Sequence, residues 1–190
     1  MFLRLEEKTG VYYLFSRLFR EAPGIGLVNE ILGRSGGTDK TEEVAVEYTS
    51  LFVVPGECAI SPYESFYRDS LTVDTSTADS PYFQAGCRLE GMKGFLYGVS
   101  AVAVEKTYRE NGFAVDPRFH DLPDHIACEL EFAGRLYEEG KEDAARAFIR
   151  SHLSRWVFLF LAELEKQERS IFYRRVAESL KSFLRSAEAF

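Results

Sequence analysis

The chain has 190 residues, of which 46% are hydrophobic and 28% are charged, a composition typical of a globular protein. The formal net charge of −7 argues against nucleic acid and anionic membranes as partners, because neither gains electrostatically from an acidic surface. Cys58, Cys87 and Cys128 form no C-x-x-C motif, so neither a disulfide framework nor a zinc knuckle is indicated. We predict a single domain over residues 1–190.

Two segments predict a cytoplasmic protein without stable membrane insertion. The first ten residues, MFLRLEEKTG, carry charges where a secretory signal requires an unbroken apolar run. The longest apolar run, from Trp156 to Ala162, has seven residues, whereas a helix that crosses a bilayer needs about 20. The three scattered thiols also suit a reducing compartment.

Helical periodicity dominates the start of the chain. Apolar residues from Val11 to Ala22 lie on one face of a predicted helix, which ends at Pro23-Gly24. A second, short helix is predicted over about 25–32, before a glycine-rich turn.

The middle of the chain is less regular. Asp39 and Glu42 have the spacing of a capping box, and they predict a helix that continues to Pro55. Turn-forming residues cluster between residues 55 and 98, where a helix near 82–96 is the one element that we assign.

Helices return in the second half. Ser100 is a plausible N-cap for a helix that ends at Asn111-Gly112, and Pro123 fits the first turn of a helix that ends near Gly140. The remaining helices are predicted over about 142–155, 156–167 and 170–187. We find no convincing period-2 strand, and the short connections favour antiparallel packing. The predicted fold is an all-α, single-domain antiparallel helical bundle with one long irregular crossing connection.

Two stretches, EYTSLFVVPGECAISPYESFY (47–67) and LPDHIACELEF (122–132), carry a family pattern. The matching positions are Tyr48, Leu51, Phe52, Pro55, Pro62, Tyr63, Glu64, Ser65 and Tyr67 in the first stretch, and Pro123, Asp124, His125, Ile126, Glu129, Leu130 and Phe132 in the second. The two stretches occur in this order, about 55 residues apart, in a chain whose apolar periodicity predicts helices. They resemble the two signature regions of the TorD/DmsD/NarJ-type redox enzyme maturation chaperones.

The resemblance implies a cytoplasmic chaperone rather than an enzyme, with no cofactor or metal of its own. Its partner would be the N-terminal leader, often with a twin-arginine signal, of the precursor of a molybdenum or tungsten oxidoreductase subunit. Holding the leader would delay export or assembly until cofactor insertion is complete. The chaperone itself would be a monomer or a helix-swapped dimer.

The two motifs also supply the predicted peptide-binding residues. These are Leu51, Phe52, Pro62, Tyr63, Glu64, Ser65, Tyr67, Asp124, His125 and Glu129. A twin-arginine leader has a basic region and an apolar region, so we expect the aromatic rings to provide apolar contact and Glu64 to meet a guanidinium. Alternatively, the aromatic residues turn inward and anchor the loop, with Glu64 capping a backbone N–H.

His125 and Glu129 share a helix face, as a metal pair or an acid–base pair would. His120 and His152 have no helical spacing to this pair, so a structural role for His125, bonded to the 62–67 loop, is the favoured interpretation. The sequence contains no phosphate-binding glycine motif. The alternative functions are a small metal- or nucleotide-dependent hydrolase that uses His125 and Glu129 with Asp124, and a structural subunit of a redox complex.

Overall fold

The computed structural model describes residues 5–32, 38–73, 89–93, 96–119 and 121–188. Its α-helices are α1 (Leu5–Arg20), α2 (Ile25–Leu32), α3 (Thr38–Tyr48), α4 (Glu64–Arg68), α5 (Val99–Glu110), α6 (Ile126–Glu138), α7 (Glu142–Ser151), α8 (Val157–Glu165) and α9 (Ile171–Glu188). A π-helical turn (Thr49–Val53) follows α3, a 3-10 turn (Leu153–Arg155) follows α7, and two strands, β1 (Ser70–Val73) and β2 (Leu89–Lys93), follow α4. The predicted all-α helical bundle is confirmed.

Helices α1 and α6 form the most extensive contact between helices in the described part of the chain. Their close approach depends on Gly134, where an added Cβ would lie 3.1 Å from the Tyr13 ring and 3.2 Å from the Tyr12 Cβ. Almost every side chain of α6 is buried, so this helix forms the centre of the bundle. Helices α8 and α9 pack against each other on another side.

Aromatic side chains fill much of the core, which accounts for an aromatic content of 14%. Trp156, Phe160, Tyr173 and Phe19 are almost completely buried. Their rings meet mostly in edge-on and tilted arrangements, which aromatic quadrupoles favour. No helix among the described residues is long and apolar enough to span a membrane.

The expectation that the chain contains no strand was wrong. Strands β1 and β2 form a two-stranded antiparallel sheet in which Ser70 pairs with Lys93 and Leu71 with Met92. The helix predicted near 82–96 is therefore wrong at Leu89–Lys93, and its positions 82–88 and 94–95 lie outside the described residues. A two-stranded pair depends on hydrogen bonds between distant segments, so local periodicity does not reveal it.

The start of α5 also differs from the prediction. Gly98 is the N-cap, and Ser100 lies inside the helix. Asp69 accepts hydrogen bonds from the Ser100 backbone N–H (2.9 Å) and the Ser100 hydroxyl (2.6 Å), and we call this arrangement the Asp69 cap. A Cβ at Gly98 would overlap the Asp69 carboxylate, so a larger residue at this position would displace the carboxylate from Ser100. The helix ends at Asn111 and Gly112 as predicted.

Other predicted boundaries shift as well. Helix α7 ends at Ser151 instead of near 155, and α3 ends at Tyr48, where the π-helical turn begins. Helix α6 begins at Ile126, so Pro123 precedes the helix instead of lying in its first turn. Helix α3 begins at Thr38, so Asp39 lies inside it. Ala22 is exposed beyond the end of α1 and does not belong to its apolar face.

Candidate functional site

The two motifs meet through their backbones. Tyr63 pairs with His125 in an isolated antiparallel bridge. The Ile126 N–H donates to the Pro62 carbonyl (2.8 Å), and the Glu64 N–H donates to the Asp124 carbonyl (3.0 Å). Through these contacts the Tyr63 segment packs against the start of the helix that follows Pro123.

The end of the first motif is also helical, although a helix was predicted only as far as Pro55. After the extended Tyr63, the chain forms the five-residue helix α4. The Asp124 carboxylate accepts a hydrogen bond from the Ser65 N–H (2.8 Å) and so caps this helix from the second motif. Burial raises the pKa of Asp124, and the hydrogen bonds from Ser65 partly counter that rise.

The Glu64 carboxylate is fully buried, not displayed on a groove. Arg68 donates to its Oε1 and also to the Ser151 carbonyl (3.1 Å). His152 Nδ1 lies 3.1 Å from Glu64 Oε2. Because the carboxylate contacts these side chains, it neither faces solvent nor caps a backbone N–H. The expectations that Glu64 meets a guanidinium of the leader, or caps a backbone N–H, are therefore both wrong for its side chain.

Glu129 is equally buried. The Trp156 indole N–H donates to the Glu129 carboxyl group, with Nε1 3.2 Å from each oxygen. Burial raises the pKa of Glu129 well above its usual value, and the negative charge of Glu64 adds to the rise. We call Glu64, Asp124 and Glu129 the carboxyl cluster.

His125 caps α6. Its Nδ1 accepts from the Ala127 N–H (3.1 Å), so the neutral ring carries its proton on Nε2, which lies 3.9 Å from Asp121 Oδ2. Burial lowers the pKa of His125 to about 4. The link to the 62–67 loop that we predicted for His125 is made by its backbone and by an edge-on ring contact with Tyr63, not by an imidazole hydrogen bond.

The ten predicted peptide-binding residues divide into a buried set and a partly accessible set. The buried ones are Leu51, Pro62, Glu64, Ser65, Asp124, His125 and Glu129. Phe52, Tyr63 and Tyr67 are half-buried, and Tyr67 stacks on Trp156 with ring centroids 5.5 Å apart. The structure therefore brings all ten residues to one region, but only three of them have side chains that are partly accessible to a ligand.

The accessible face of the two motifs combines aromatic rings with acidic side chains. The Tyr63 hydroxyl donates to Asp121, and the Tyr48 hydroxyl donates to the Arg20 carbonyl (2.9 Å), next to the exposed Glu21. The Tyr48 ring meets Phe52 edge-on at 5.5 Å. We call Glu21, Tyr48, Phe52, Tyr63 and Asp121 the Tyr63 surface.

Sequence reasoning missed several members of this region. Arg68 lies four residues after Glu64, a helical spacing that could have identified the pair. Asp121 lies just before the second motif and could have been considered with it. His152 and Trp156 are 88 and 27 residues from their glutamate partners, and no local signal joins them.

The described residues contain no group of three or more His, Cys, Asp and Glu side chains arranged to hold a metal ion. The hydrolase alternative requires His125 and Glu129, but both side chains already have other hydrogen-bond partners. His125 Nδ1 accepts from the Ala127 N–H, and Glu129 accepts from the Trp156 indole N–H. No observation in the described part of the chain favours that alternative.

Comparisons with known proteins agree with the motif resemblance. The chain is 26% identical to the chaperone protein TorD of Shewanella pealeana over 150 residues, which cover 78% of this chain and 61% of that protein. It is 25% identical to a protein of Haemophilus influenzae named as the Tat proofreading chaperone DmsD, over 136 residues that cover 72% and 56% of the two chains. The chain thus spans about three fifths of the length of these relatives. Both are named as chaperones and not as enzymes.

A solved structure has the same fold over nearly the whole chain. It is a protein from Archaeoglobus fulgidus assigned to redox enzyme maturation, with a TM-score of 0.56, 21% identity and coverage of 97% of this chain and 96% of its own. The family model described as nitrate reductase delta subunit matches residues 21–162, which include both motifs. The chain therefore belongs to the nitrate reductase delta subunit family, the family of the TorD- and DmsD-type chaperones.

Proposed function

We propose that this protein is a cytoplasmic chaperone for the precursor of a molybdenum or tungsten oxidoreductase subunit. It binds the N-terminal leader, including a twin-arginine signal, and holds it until cofactor insertion and folding are complete, which delays export or assembly. The names of its relatives support a chaperone and not an enzyme, and one of them is named for Tat proofreading.

The observation that carries the proposal is the joining of the two motifs into the Tyr63 surface. A twin-arginine leader presents guanidinium groups next to an apolar segment. The rings of Tyr48, Phe52 and Tyr63 match the apolar segment, and the carboxylates of Asp121 and Glu21 match the guanidinium groups.

The buried motif residues have a supporting role in this proposal. We assign the guanidinium contact to Asp121 instead of Glu64, because Glu64 is buried and already paired with Arg68 and His152. Asp124 and His125 hold α4 and α6 in the positions that present Tyr63.

The test is retrieval of a precursor from cells that make molybdenum or tungsten oxidoreductases. The tagged chain should retrieve a precursor that retains its leader, and it should lose that precursor when the leader is deleted. Asp121→Asn should reduce the yield. Asp116→Asn is the matched control, because Asp116 is an exposed aspartate that pairs with Arg118 outside the Tyr63 surface.

Two outcomes would contradict the proposal. Retrieval of the mature enzyme as efficiently as of the precursor would favour a structural subunit. Retrieval that is independent of the leader would show that the chain recognises another part of its client.

A further inference from the structure

An open groove lies beside the π-helical turn that follows α3. It is lined by Ala45 and Val46 of α3, by Thr49 and Ser50 of the turn, and by residues 54–58. Its volume is about 550 Å³, which is in the range of pockets that bind ligands. We call it the Val46 groove.

Backbone hydrogen bonds hold the sides of the Val46 groove in place. The Val54 N–H donates to the Thr49 carbonyl (2.9 Å), which closes the π-helical turn. The Ile60 N–H then donates to the Leu51 carbonyl (2.8 Å), so the chain folds back onto the turn that it has just left. The groove is therefore formed by the fold itself, before any ligand is bound.

The groove presents an apolar surface although two of its residues carry hydroxyl groups. The Thr49 hydroxyl donates to the Ala45 carbonyl (2.9 Å), and the Ser50 hydroxyl donates to the Glu47 carbonyl (3.0 Å). Because both hydroxyl groups are bonded to the backbone of α3, a ligand gains little by hydrogen bonding to them.

Two valines supply most of the exposed apolar area. Val46 is 68% exposed and Val54 is 52% exposed. A single exposed valine is common on protein surfaces, but these two line the same concave groove, where one ligand can bury both. The chemistry of the groove therefore fits an apolar segment of a partner.

The rim of the Val46 groove is acidic. Glu57 lines it and is exposed, and the exposed Glu42 and Glu43 precede Val46 by four and three residues on α3. Among the described residues, no Lys or Arg forms an ion pair with any of these three carboxylates. Such a rim favours an apolar segment that is bordered by basic residues, and it repels a second copy of this acidic chain.

The groove is continuous along the chain with the Tyr63 surface. Tyr48 of that surface is followed directly by Thr49, and Phe52 of that surface is two residues from Val54. One peptide in contact with the rings of the Tyr63 surface can therefore reach the groove.

We propose that the apolar segment of a twin-arginine leader extends from the rings of the Tyr63 surface into the Val46 groove, where it buries Val46 and Val54. The acidic rim selects leaders whose apolar segment is bordered by basic residues. This inference rests on the proposed function and assigns a second contact area to it.

A synthetic peptide, with two consecutive arginines followed by a run of leucines and alanines, tests the groove by titration calorimetry. Val46→Ser and Val54→Ser should each weaken its binding about three- to tenfold at any salt concentration, because the loss is apolar area. Serine and valine have similar helix propensities, so Val46→Ser should leave α3 intact. Val102→Ser, at an exposed valine of α5, is the matched control and should bind normally.

A second peptide shows which part of the leader enters the groove. It keeps the arginines but carries serines in place of the apolar run. It should bind the wild-type protein more weakly, and the two groove substitutions should not weaken it further. Equal affinity of the wild-type protein for both peptides would overturn the proposal.

Cys58 reports on the groove directly, because it is exposed and lines it, whereas Cys128 is buried. In a Cys87→Ser background, alkylation of Cys58 by iodoacetamide should slow in proportion to the fraction of protein that has bound the apolar peptide. If slow alkylation instead depends on protein concentration without peptide, a second copy covers the groove and the proposal is wrong.

The failure of this inference can be told apart from the failure of the proposed function. If the apolar peptide needs Asp121 but binds both folded groove variants normally and leaves Cys58 unprotected, the groove proposal is overturned and the proposed function stands. If the peptide does not bind the wild-type protein at all, both are overturned.

Discussion

The buried polar residues of the two motifs serve mainly to position the helices around them, not to contact a ligand. His125 shows this most clearly, because the residue is buried and its Nδ1 accepts the Ala127 N–H in the first turn of α6. A proton on Nδ1 would set two donors against each other at the Ala127 N–H. The same residue that resembles a catalytic or metal-binding histidine in the sequence is therefore a neutral helix cap.

We expect His125 to make stability dependent on pH. Its pKa falls from 6.5 to about 4 on folding, so the unfolded chain binds the extra proton first and stability decreases as the pH falls through this range. The full effect is at most about 3 kcal/mol. His125→Asn keeps a capping side chain that does not titrate, and urea unfolding at several pH values should show a shallower decrease than in the wild type. Equal slopes for both proteins would contradict this assignment.

At the Tyr63 surface, two substitutions should weaken leader binding in different ways. Asp121→Asn should cost about 1 kcal/mol at low salt and less at high salt, because an exposed ion pair is screened. Tyr63→Ala should cost about 1–3 kcal/mol at any salt concentration, through lost contact area. Titration calorimetry with a synthetic leader at two ionic strengths separates the effects. If both folded variants bind as tightly as the Asp116→Asn control, the leader binds elsewhere.

Helices in this bundle are capped by carboxylates from other segments. Asp124 caps α4, Asp69 caps α5, and Glu47 of α3 accepts the Tyr173 N–H (3.4 Å) at the start of α9. Each carboxylate satisfies backbone donors at the positive end of a helix and also fixes one element against another. Stability of these helices is thus tied to tertiary packing.

Removal of the Asp69 cap should destabilise the protein by about 1–2 kcal/mol, the usual cost of losing a helix cap. Asp69→Ala removes both hydrogen bonds to Ser100, whereas Ser100→Ala removes only the one from the hydroxyl. Chemical unfolding should therefore show a larger loss for Asp69→Ala, accompanied by faster hydrogen exchange at the start of α5. Losses of equal size would show that the backbone hydrogen bond contributes little.

Two helical glycines should respond to substitution in opposite directions, because only one lies at the contact between α1 and α6. A Cβ at Gly10 meets nothing within 4 Å, so Gly10→Ala should stabilise α1 by about 0.5–1 kcal/mol. Gly134→Val should destabilise the protein by about 1–3 kcal/mol, because its side chain would press on Tyr12 and Tyr13. Thermal unfolding of both variants tests this, and a stable Gly134→Val variant would show that α1 can move away.

At the scale of the whole molecule, the predictions were correct for features that depend on residues close together in the sequence. The apolar periods placed α1, α2 and α6, and the two motifs indicated one region. The strands, the Asp69 cap and the contact of Glu64 with His152 depend on partners 16 or more residues away, and one sequence carries no record of those pairings. The two motifs do pack together, as their pattern indicated, while the burial of most of their residues was not predictable.

The Asp69 cap has a further consequence for the architecture. Gly98, at the start of α5, lies against the Asp69 carboxylate, which follows α4. The points where the chain enters and leaves the stretch between them are therefore next to each other in space. Lengthening a closed loop costs little, about 0.6 kcal/mol for each doubling. A change in the length of the stretch between Asp69 and Gly98 should therefore leave the contact between α4 and α5 unchanged.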